Sequence, residues 1–332
     1  MPIKPCAPST SSTQTPNKMQ KEDLRIIFMG TPDFAVPALQ ALVENRWNVV
    51  AVITAPDKPA GRGLKLVPSP VKEVALQHNL PVLQPTNLKD PAFQEELKRY
   101  QASLQVIVAF RMLPEAVWNM PPLGSLNIHA SLLPHYRGAA PINWALINGD
   151  QETGVTSFFL QHEIDTGDII LQRKVAIAPE DNFGTLYEKL KHAGASLLLE
   201  TVEAIVEDRV QPYPQPQPQE PLRSAPKIFK QTCQIDWQQP AAQVHNFVRG
   251  LSPYPAAWTV LEGKQFKILA GHAVAVSSHG QAPGSYTTDG KDFLQVQCGE
   301  GTAYAVEELQ MEGKKRMGIK DFLRGYTFQQ AL

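Results

Sequence analysis

Three polar residues near the middle of the chain have the types and spacing for acyl transfer to an amine. Asn127 and His129 stand two residues apart at the end of an apolar run, Gly124 to His129, that reads as a strand, so both side chains project from one face. Thirty-six residues after His129, the run EIDTGDII places Asp165 in a Gly-punctuated turn beyond a second apolar strand, Val155 to Leu160. That spacing can return the carboxylate to the imidazole. A carboxamide can donate to an oxygen that gains charge in a tetrahedral intermediate, and such a donor is worth roughly 3 kcal/mol in the transition state. An imidazole can polarise a carbonyl or move a proton between attacking amine and leaving nitrogen, provided a carboxylate orients it. Ser131 sits in ASLLP without the flanking glycines of a GxSxG elbow, so direct transfer is expected rather than a covalent acyl-enzyme. The plainer alternative is that Asn127 and His129 satisfy backbone groups or cap the following segment.

The full string NIHASLLPHYRGAAPINWALINGD, with EIDTGDII, resembles the signature of the formyltetrahydrofolate-dependent formyltransferases. Its RGAAPI variant is similar to the branch that acts on charged initiator tRNA. The resemblance implies a catalytic trio at Asn127, His129 and Asp165, a folate segment at Ser131, Leu132, Leu133 and Pro134, and a pterin-accepting loop, VIVAFRMLP, carrying Arg111, Met112 and Leu113. It implies 10-formyltetrahydrofolate as co-substrate, the methionine of initiator Met-tRNA as acceptor, and no metal. Arg137 and Asp168 fit a structural pair or a solvated pair as well as a chemical role.

Length and composition set the bounds around this motif. A chain of 332 residues exceeds the usual single core, and its 43% hydrophobic share with a net charge of −1 suits an ordinary globular protein of two domains. No apolar run approaches a membrane span. Cys6, Cys233 and Cys298 are odd in number and in no CxxC pattern, against both a disulfide framework and a zinc site, and a reducing cytoplasm is expected. Residues 1–22 are rich in Ser, Thr, Pro and Gln and read as a disordered tail. They lack the apolar core of a secretory signal, and the first arginine is Arg25, against a transit peptide. Met19 is an alternative start, because the folded pattern begins only at Leu24.

From Leu24 the chain alternates strand and helix: RIIFMG, an amphipathic helix after GTPDF, NVVAVIT, a helix over Ala92 to Tyr100, a strand over Leu104 to Ala109, and a helix over Ala139 to Ile147. This is the rhythm of a doubly wound, mostly parallel sheet, whose sites open at the carboxyl ends of the strands. GTPDF lacks both GxGxxG and GK[ST], so it reads as a substrate-facing loop rather than a nucleotide fold. The segment APDKPAGRGLKLVPSPVK is a long exposed loop with Lys58, Arg62, Lys65 and Lys72. It is a solvated surface loop or a functional one, and the resemblance implies contact of Lys58, Arg62 and Lys65 with the tRNA acceptor stem.

Phe183 to Val210 reads as a long amphipathic helix closing the first domain, and QPYPQPQPQEP as a semi-rigid polyproline spacer. Beyond it come a short strand at Ile235 to Trp237, a helix in PAAQVHNFVRGL, a hairpin about Glu262 to Lys264, further short strands, and a helix near Ile319 to Arg324. From residue 222 onward there are 12 Lys and Arg against 9 Asp and Glu, a mild surplus for a nucleic-acid face. KIFKQTCQIDW and LSPYPAAWT resemble the tRNA-binding end of the same family, and Lys314, Lys315 and Arg316 are phosphate candidates there.

The expected architecture is α/β: a formyltransferase-type, Rossmann-like doubly wound sheet with a smaller OB-like β-barrel. Its parts are a tail (1–22), a catalytic domain (23–210), a Pro/Gln-rich linker (211–221) and a tRNA-binding barrel (222–332), in a cytoplasmic monomer. Two other readings remain open: a formyltransferase for a sugar-nucleotide amine or glycinamide ribonucleotide, and an RNA-binding scaffold without turnover.

Overall fold

The computed structural model describes residues 19–60, 65–275 and 281–329. In chain order the first half contains Ile26–Gly30 (β1), Val36–Glu44 (α1), Val49–Ile53 (β2), Lys58–Ala60 (β3), Lys65–Val67 (β4), Pro70–Gln77 (α2), Val82–Leu83 (β5), Pro91–Arg99 (α3), Leu104–Val108 (β6) and Glu115–Trp118 (α4). It continues through Ser125–His129 (β7), Arg137–Gly138 (β8), Pro141–Ile147 (α5), Glu152–Phe159 (β9), Ile169–Ala176 (β10) and Phe183–Val206 (α6). After Ser224–Ala225 (β11) follow Ala241–Leu251 (α7), Ala257–Leu261 (β12), Lys264–Ala275 (β13), Tyr286–Thr288 (β14), Leu294–Gln297 (β15), Thr302–Met311 (β16), Met317–Gly318 (β17) and Ile319–Leu323 (α8).

The main sheet has the order β10-β9-β7-β6-β1-β2-β5. Strands β5, β2, β1, β6 and β7 run parallel, and β9 and β10 add an antiparallel edge. The parallel strands are largely apolar because both faces are covered, with Gln105 on β6 and Ser125, Asn127 and His129 on β7 as polar exceptions. In β1, Ile26 and Phe28 enter the core shared with α1, α2 and α6, while Ile27 and Met29 enter the core shared with α3 and α4. The chain leaves β1 toward β2 and β5, then crosses back to β6 and β7. The strand order therefore reverses between β1 and β6, where a doubly wound sheet opens a crevice at its carboxyl edge. Helix α6 starts on a reciprocal cap: Asn182 Oδ1 accepts from Thr185 N, and Thr185 Oγ1 from Asn182 N, both at 3.0 Å.

The expected OB-like domain is an antiparallel half-barrel of order β12-β13-β16-β15-β14, with β17 on β16. Side chains join its two edges. Glu262, in the β12–β13 turn, accepts from Tyr286 on β14 at 2.5 Å, and Phe266, Phe322, Tyr326 and Phe328 form a ring cluster that Tyr286 completes. The strand expected at Ile235 to Trp237 is instead a single bridge, Gln234 to Trp258. The chain turns there because Asp236 Oδ1 accepts from Gln238 N at 3.0 Å and Trp237 Nε1 donates inward to Thr259 Oγ1 at 2.9 Å. Strand β10 had no counterpart in the sequence reading. Cys233 and Cys298 are buried free thiols, and no helix among the described residues is long and apolar enough to cross a membrane.

Two segments at the edges of the first domain make contacts of their own. Residues 1–18 of the tail lie outside the described residues, but Met19 packs on the first core and Lys21 Nζ stands 4.3 Å from the Trp47 ring centroid. The Pro/Gln segment is stitched to the first domain rather than spanning free space. Tyr213 and Ile169 exchange backbone hydrogen bonds of 2.9 and 3.1 Å, β11 pairs with β8, and Arg223 forms an ion pair with Asp150.

The barrel docks through α7 on α5. At Gly250 a Cβ would lie 2.7 Å from Ile147 Cγ1, so only glycine permits the approach, and Asn143 Nδ2 donates to Gly250 O at 2.8 Å. Arg249 reaches Ala178 O and Asp181 O at 3.5 and 3.4 Å. The buried Asp181 carboxylate accepts from Lys189 Nζ at 2.5 Å, Ala178 N at 2.7 Å and Thr185 Oγ1 at 2.8 Å. Burial raises this carboxyl, but Lys189 and the other donors outweigh it and hold it below its ordinary value. A group lowered in this way contributes stability that is complete above its unfolded value near about 4, and that is lost as pH falls through the folded value. Asp181→Asn should therefore melt several degrees below the parent at neutral pH, and thermal unfolding across an acid series should show the gap closing as pH drops below about 4. A gap independent of pH contradicts the assignment.

Candidate active site

Asn127 and His129 occupy the last turn of pleat on β7, facing Phe158 and Thr156 of β9 in register. Both line a cavity of about 700 Å³ at the carboxyl edge of the sheet, and so does Asp165 from the β9–β10 turn. The Asn127 carboxamide has no hydrogen-bond partner among the described residues. It is half-buried, and its donors are free to serve a group in the cavity. His129 is buried, and its Nε2 lies 2.8 Å from Tyr136 O. A carbonyl can only accept, so Nε2 carries the proton and Nδ1 is the nitrogen left for chemistry. Nδ1 is 3.8 Å from Asp165 Oδ2. The same carboxylate oxygen accepts from Gly138 N at 2.9 Å. The three side chains that the sequence spacing singled out thus converge on one cavity.

The turn that delivers Asp165 depends on two unusual backbone positions. Asp165 has φ +56°, a left-handed conformation that costs a residue with a side chain. At Gly167 a Cβ would fall 1.6 Å from Phe159 O, so no other residue fits under β9. Tyr136, which supplies the carbonyl for His129, also has positive φ, at +61°. Its hydroxyl donates to Asp150 Oδ2 at 2.6 Å. Burial and that carboxylate push the phenol above its ordinary value, so it stays a donor.

The expected folate residues divide. Arg111, Met112 and Leu113 line the cavity after β6; the Arg111 guanidinium donates to Thr86 O at 3.0 Å and to Pro85 O, which anchors the loop. Ser131, Leu132, Leu133 and Pro134 do not line it. They form a tied turn behind His129, in which Ser131 Oγ donates to His135 O at 2.7 Å and Leu133 N to Thr156 Oγ1 at 3.2 Å. Leu132 lies over Gly154, where a Cβ would meet its Cδ2 at 2.5 Å. Arg137 donates to Gln215 Oε1, and Asp168 accepts from Phe159 N through its backbone.

The basic loop is a hairpin, β3 on β4. Lys58 is exposed on it, Arg62 lies outside the described residues, and of Lys65 only the backbone, in β4, is described. Lys72 is used internally: its ammonium donates to Asp57 Oδ2 at 2.6 Å and Gln84 Oε1 at 2.8 Å, and this pair holds the Asp57 carboxyl below its ordinary value. In the barrel, Arg316 is paired with Glu308, whereas Lys314 and Lys315 are exposed.

Several cavity residues had no place in the sequence reading. Phe183 and Tyr187, four apart on the first turns of α6, wall the cavity together with Phe34 of the GTPDF loop, whose ring meets that of Tyr187 edge-on at 5.2 Å. Tyr187 OH donates to Asp33 Oδ1 at 2.6 Å and so ties that loop to α6. The i, i+4 aromatic pair at a helix start was the available signal. Asn143 and Phe183 also line a second cavity of about 670 Å³, which continues past Phe229, Lys230, Tyr254 and Lys267 of the second domain. Among the described residues no group of three or more His, Cys, Asp or Glu could hold a metal.

Comparison with known proteins gives the family of the chain. A family model described as "Formyl transferase" matches residues 24–202, and one described as "Formyl transferase, C-terminal domain" matches residues 227–327. The chain is 56% identical to a protein named methionyl-tRNA formyltransferase from Bacteroides fragilis, over 94% of this chain and 98% of the relative. To the protein of the same name from Porphyromonas gingivalis it is 52% identical, over 93% and 98%. Among solved structures, an N-formyltransferase from Helicobacter canadensis, in complex with folinic acid and dTDP-3-aminofucose, is 18% identical with a TM-score of 0.63, over 86% of this chain and 98% of that one. HypX from Aquifex aeolicus, in complex with tetrahydrofolic acid, is 18% identical with a TM-score of 0.60, over 92% of this chain and 48% of that one. At such identities the last two speak for the fold alone, and the family models and curated relatives settle the membership: this chain belongs to the formyl transferase family.

Proposed function

We propose that this chain transfers a formyl group from 10-formyltetrahydrofolate to the α-amine of methionine on initiator Met-tRNA, acting as a cytoplasmic monomer. The observation that carries the reading is the meeting of Asn127, His129 and Asp165 on one cavity, in a chain more than half identical to proteins named for that reaction. The folate is a co-substrate consumed in the turnover. Arg111, Met112 and Leu113 present the wall for its ring system, and Ser131, Leu132, Leu133 and Pro134 support that wall from behind His129.

Each of the three residues has one task. Asn127 donates to the carbonyl oxygen as the amine adds to the formyl carbon. His129 Nδ1 takes the proton that the amine loses and returns it to the folate nitrogen as the carbon–nitrogen bond breaks, so no proton is gained or lost overall. Asp165, with the Tyr136 carbonyl on the other ring nitrogen, favours the imidazolium that exists between those two transfers.

The second cavity supports a nucleic-acid acceptor. It adjoins the first through Asn143 and Phe183 and carries exposed rings, Phe229 and Tyr254, beside Lys230 and Lys267. Rings next to ammonium groups suit stacked bases and their phosphates. Lys58 and Lys65 of the hairpin, Arg62, and the barrel beyond residue 222 are the proposed contacts to the rest of the tRNA.

Incubation with labelled formyl donor and charged initiator tRNA should give formyl-methionine, while charged elongator tRNA and a sugar-nucleotide amine should not compete. Efficient transfer to the sugar amine would replace this reading with the sugar one. Asn127→Ala should lower kcat by about 100-fold or more with little change in folate affinity, and an unchanged kcat would remove the oxyanion role. Gly167→Ala should lower kcat through the displaced turn, read at a temperature where circular dichroism shows the variant folded.

A further inference from the structure

In the turn 161–168 that carries Asp165, residues Gln161 to Ile164 are exposed, and Asp165 itself holds a left-handed φ of +56°. Such a turn needs outside donors to keep one conformation. One is Gly138 N, on the carboxylate. The other comes from the segment that joins the two domains. Gln215 Nε2 donates to Asp165 O at 2.8 Å and to Gly167 O at 2.9 Å. Its Oε1 accepts from Arg137 Nε at 3.0 Å and Nη2 at 2.6 Å. A guanidinium is donor-only, so the amide oxygen must face Arg137, and the NH₂ group must face the two carbonyls.

The surroundings make this amide a seat rather than a passing contact. Of residues 211–224, Gln215 alone is not exposed. The segment is anchored on both sides of it, by the Tyr213–Ile169 bridge before and the pairing of β11 with β8 after. That pairing also fixes Gly138, whose φ is +122° and where a Cβ would lie 2.5 Å from Ala225 O. The interdomain segment therefore holds Asp165 at both its main chain and its carboxylate.

From these contacts we propose that Gln215 is a positioning residue for the formyl-transfer reaction, acting through Asp165 and touching neither substrate. The proposal rests on the role given to Asp165 above. Gln215→Glu separates the two sides of the amide: it keeps an acceptor for Arg137 but sets an oxygen against the carbonyls of Asp165 and Gly167. Gln215→Ala removes both.

The test measures kcat, KM and the pH dependence of kcat for both variants, in the parent and in Asp165→Asn. In the parent, each should lower kcat at least about tenfold, with KM for folate and for charged tRNA within about twofold, and should move the acid limb of the profile toward that of Asp165→Asn. In Asp165→Asn, neither should lower kcat further. A slow Asp165→Asn with Gln215→Ala and Gln215→Glu at parental speed, or losses that multiply with Asp165→Asn, overturns the proposal alone. Full activity of Asp165→Asn overturns the role of the carboxylate and the proposal with it. A lowered melting temperature with kcat and the acid limb unchanged marks Gln215 as merely structural and also overturns it.

Discussion

The site depends on how one imidazole is tied. The Tyr136 carbonyl takes the proton on His129 Nε2, and this leaves Nδ1 as the ring's only basic atom, between the cavity and Asp165 Oδ2 at 3.8 Å. A neutral ring held so turns its lone pair toward a carboxylate and the cavity. Everything local serves that geometry. Tyr136 accepts a left-handed φ so that its carbonyl turns back toward β7, and its hydroxyl is fastened to Asp150 and Arg223. Asp165 accepts another, and Gly167 vanishes under β9 to let the turn close.

The fold supplies the rest by placing three chain ends together. The reversal of strand order between β1 and β6 opens the crevice; the loop after β1 brings Phe34, the loop after β6 brings Arg111 to Leu113, and β7 brings Asn127 and His129. Two apolar cores, one on each side of the sheet, hold these edges still. The second domain is continuous with this arrangement. Through Gly250 of α7 packed against α5, and through the segment from Tyr213 to Ala225, it touches the elements that carry the RGAAPI run and the carboxylate turn.

Much of this was readable beforehand, for physical reasons. Uniformly apolar strands between helical patterns mark a sheet covered on both faces, and a period of two puts Asn127 and His129 on one side. The family signature singled out the trio that meets on one cavity, and length with the Pro/Gln segment suggested two domains. What escaped was tertiary. Strand β10 is buried only at Ile169 and Ile170 and then alternates half-buried and exposed residues through Gln172, Arg173 and Lys174, a polar run that masked it among loops. The expected strand at Ile235 to Trp237 is a bridge at Gln234 followed by a turn, from which Trp237 faces inward. Ser131 to Pro134 earned a place in the folate site from the motif, yet the cavity wall is built in front of them. Composition described the Pro/Gln segment as a spacer. Nothing in alternating Pro and Gln says that one glutamine amide will be gripped by Arg137.

The most direct measurement is the protonation pattern of the His129 ring, observed by long-range proton–nitrogen NMR on protein labelled with ¹⁵N-histidine, with His129→Gln to assign the signal. The neutral ring should show a protonated Nε2 and a bare Nδ1, and Asp165→Asn should change the Nδ1 shift while leaving Nε2 in place. A neutral ring protonated on Nδ1, or an Nδ1 signal indifferent to Asp165, would contradict the arrangement on which the proposed chemistry stands.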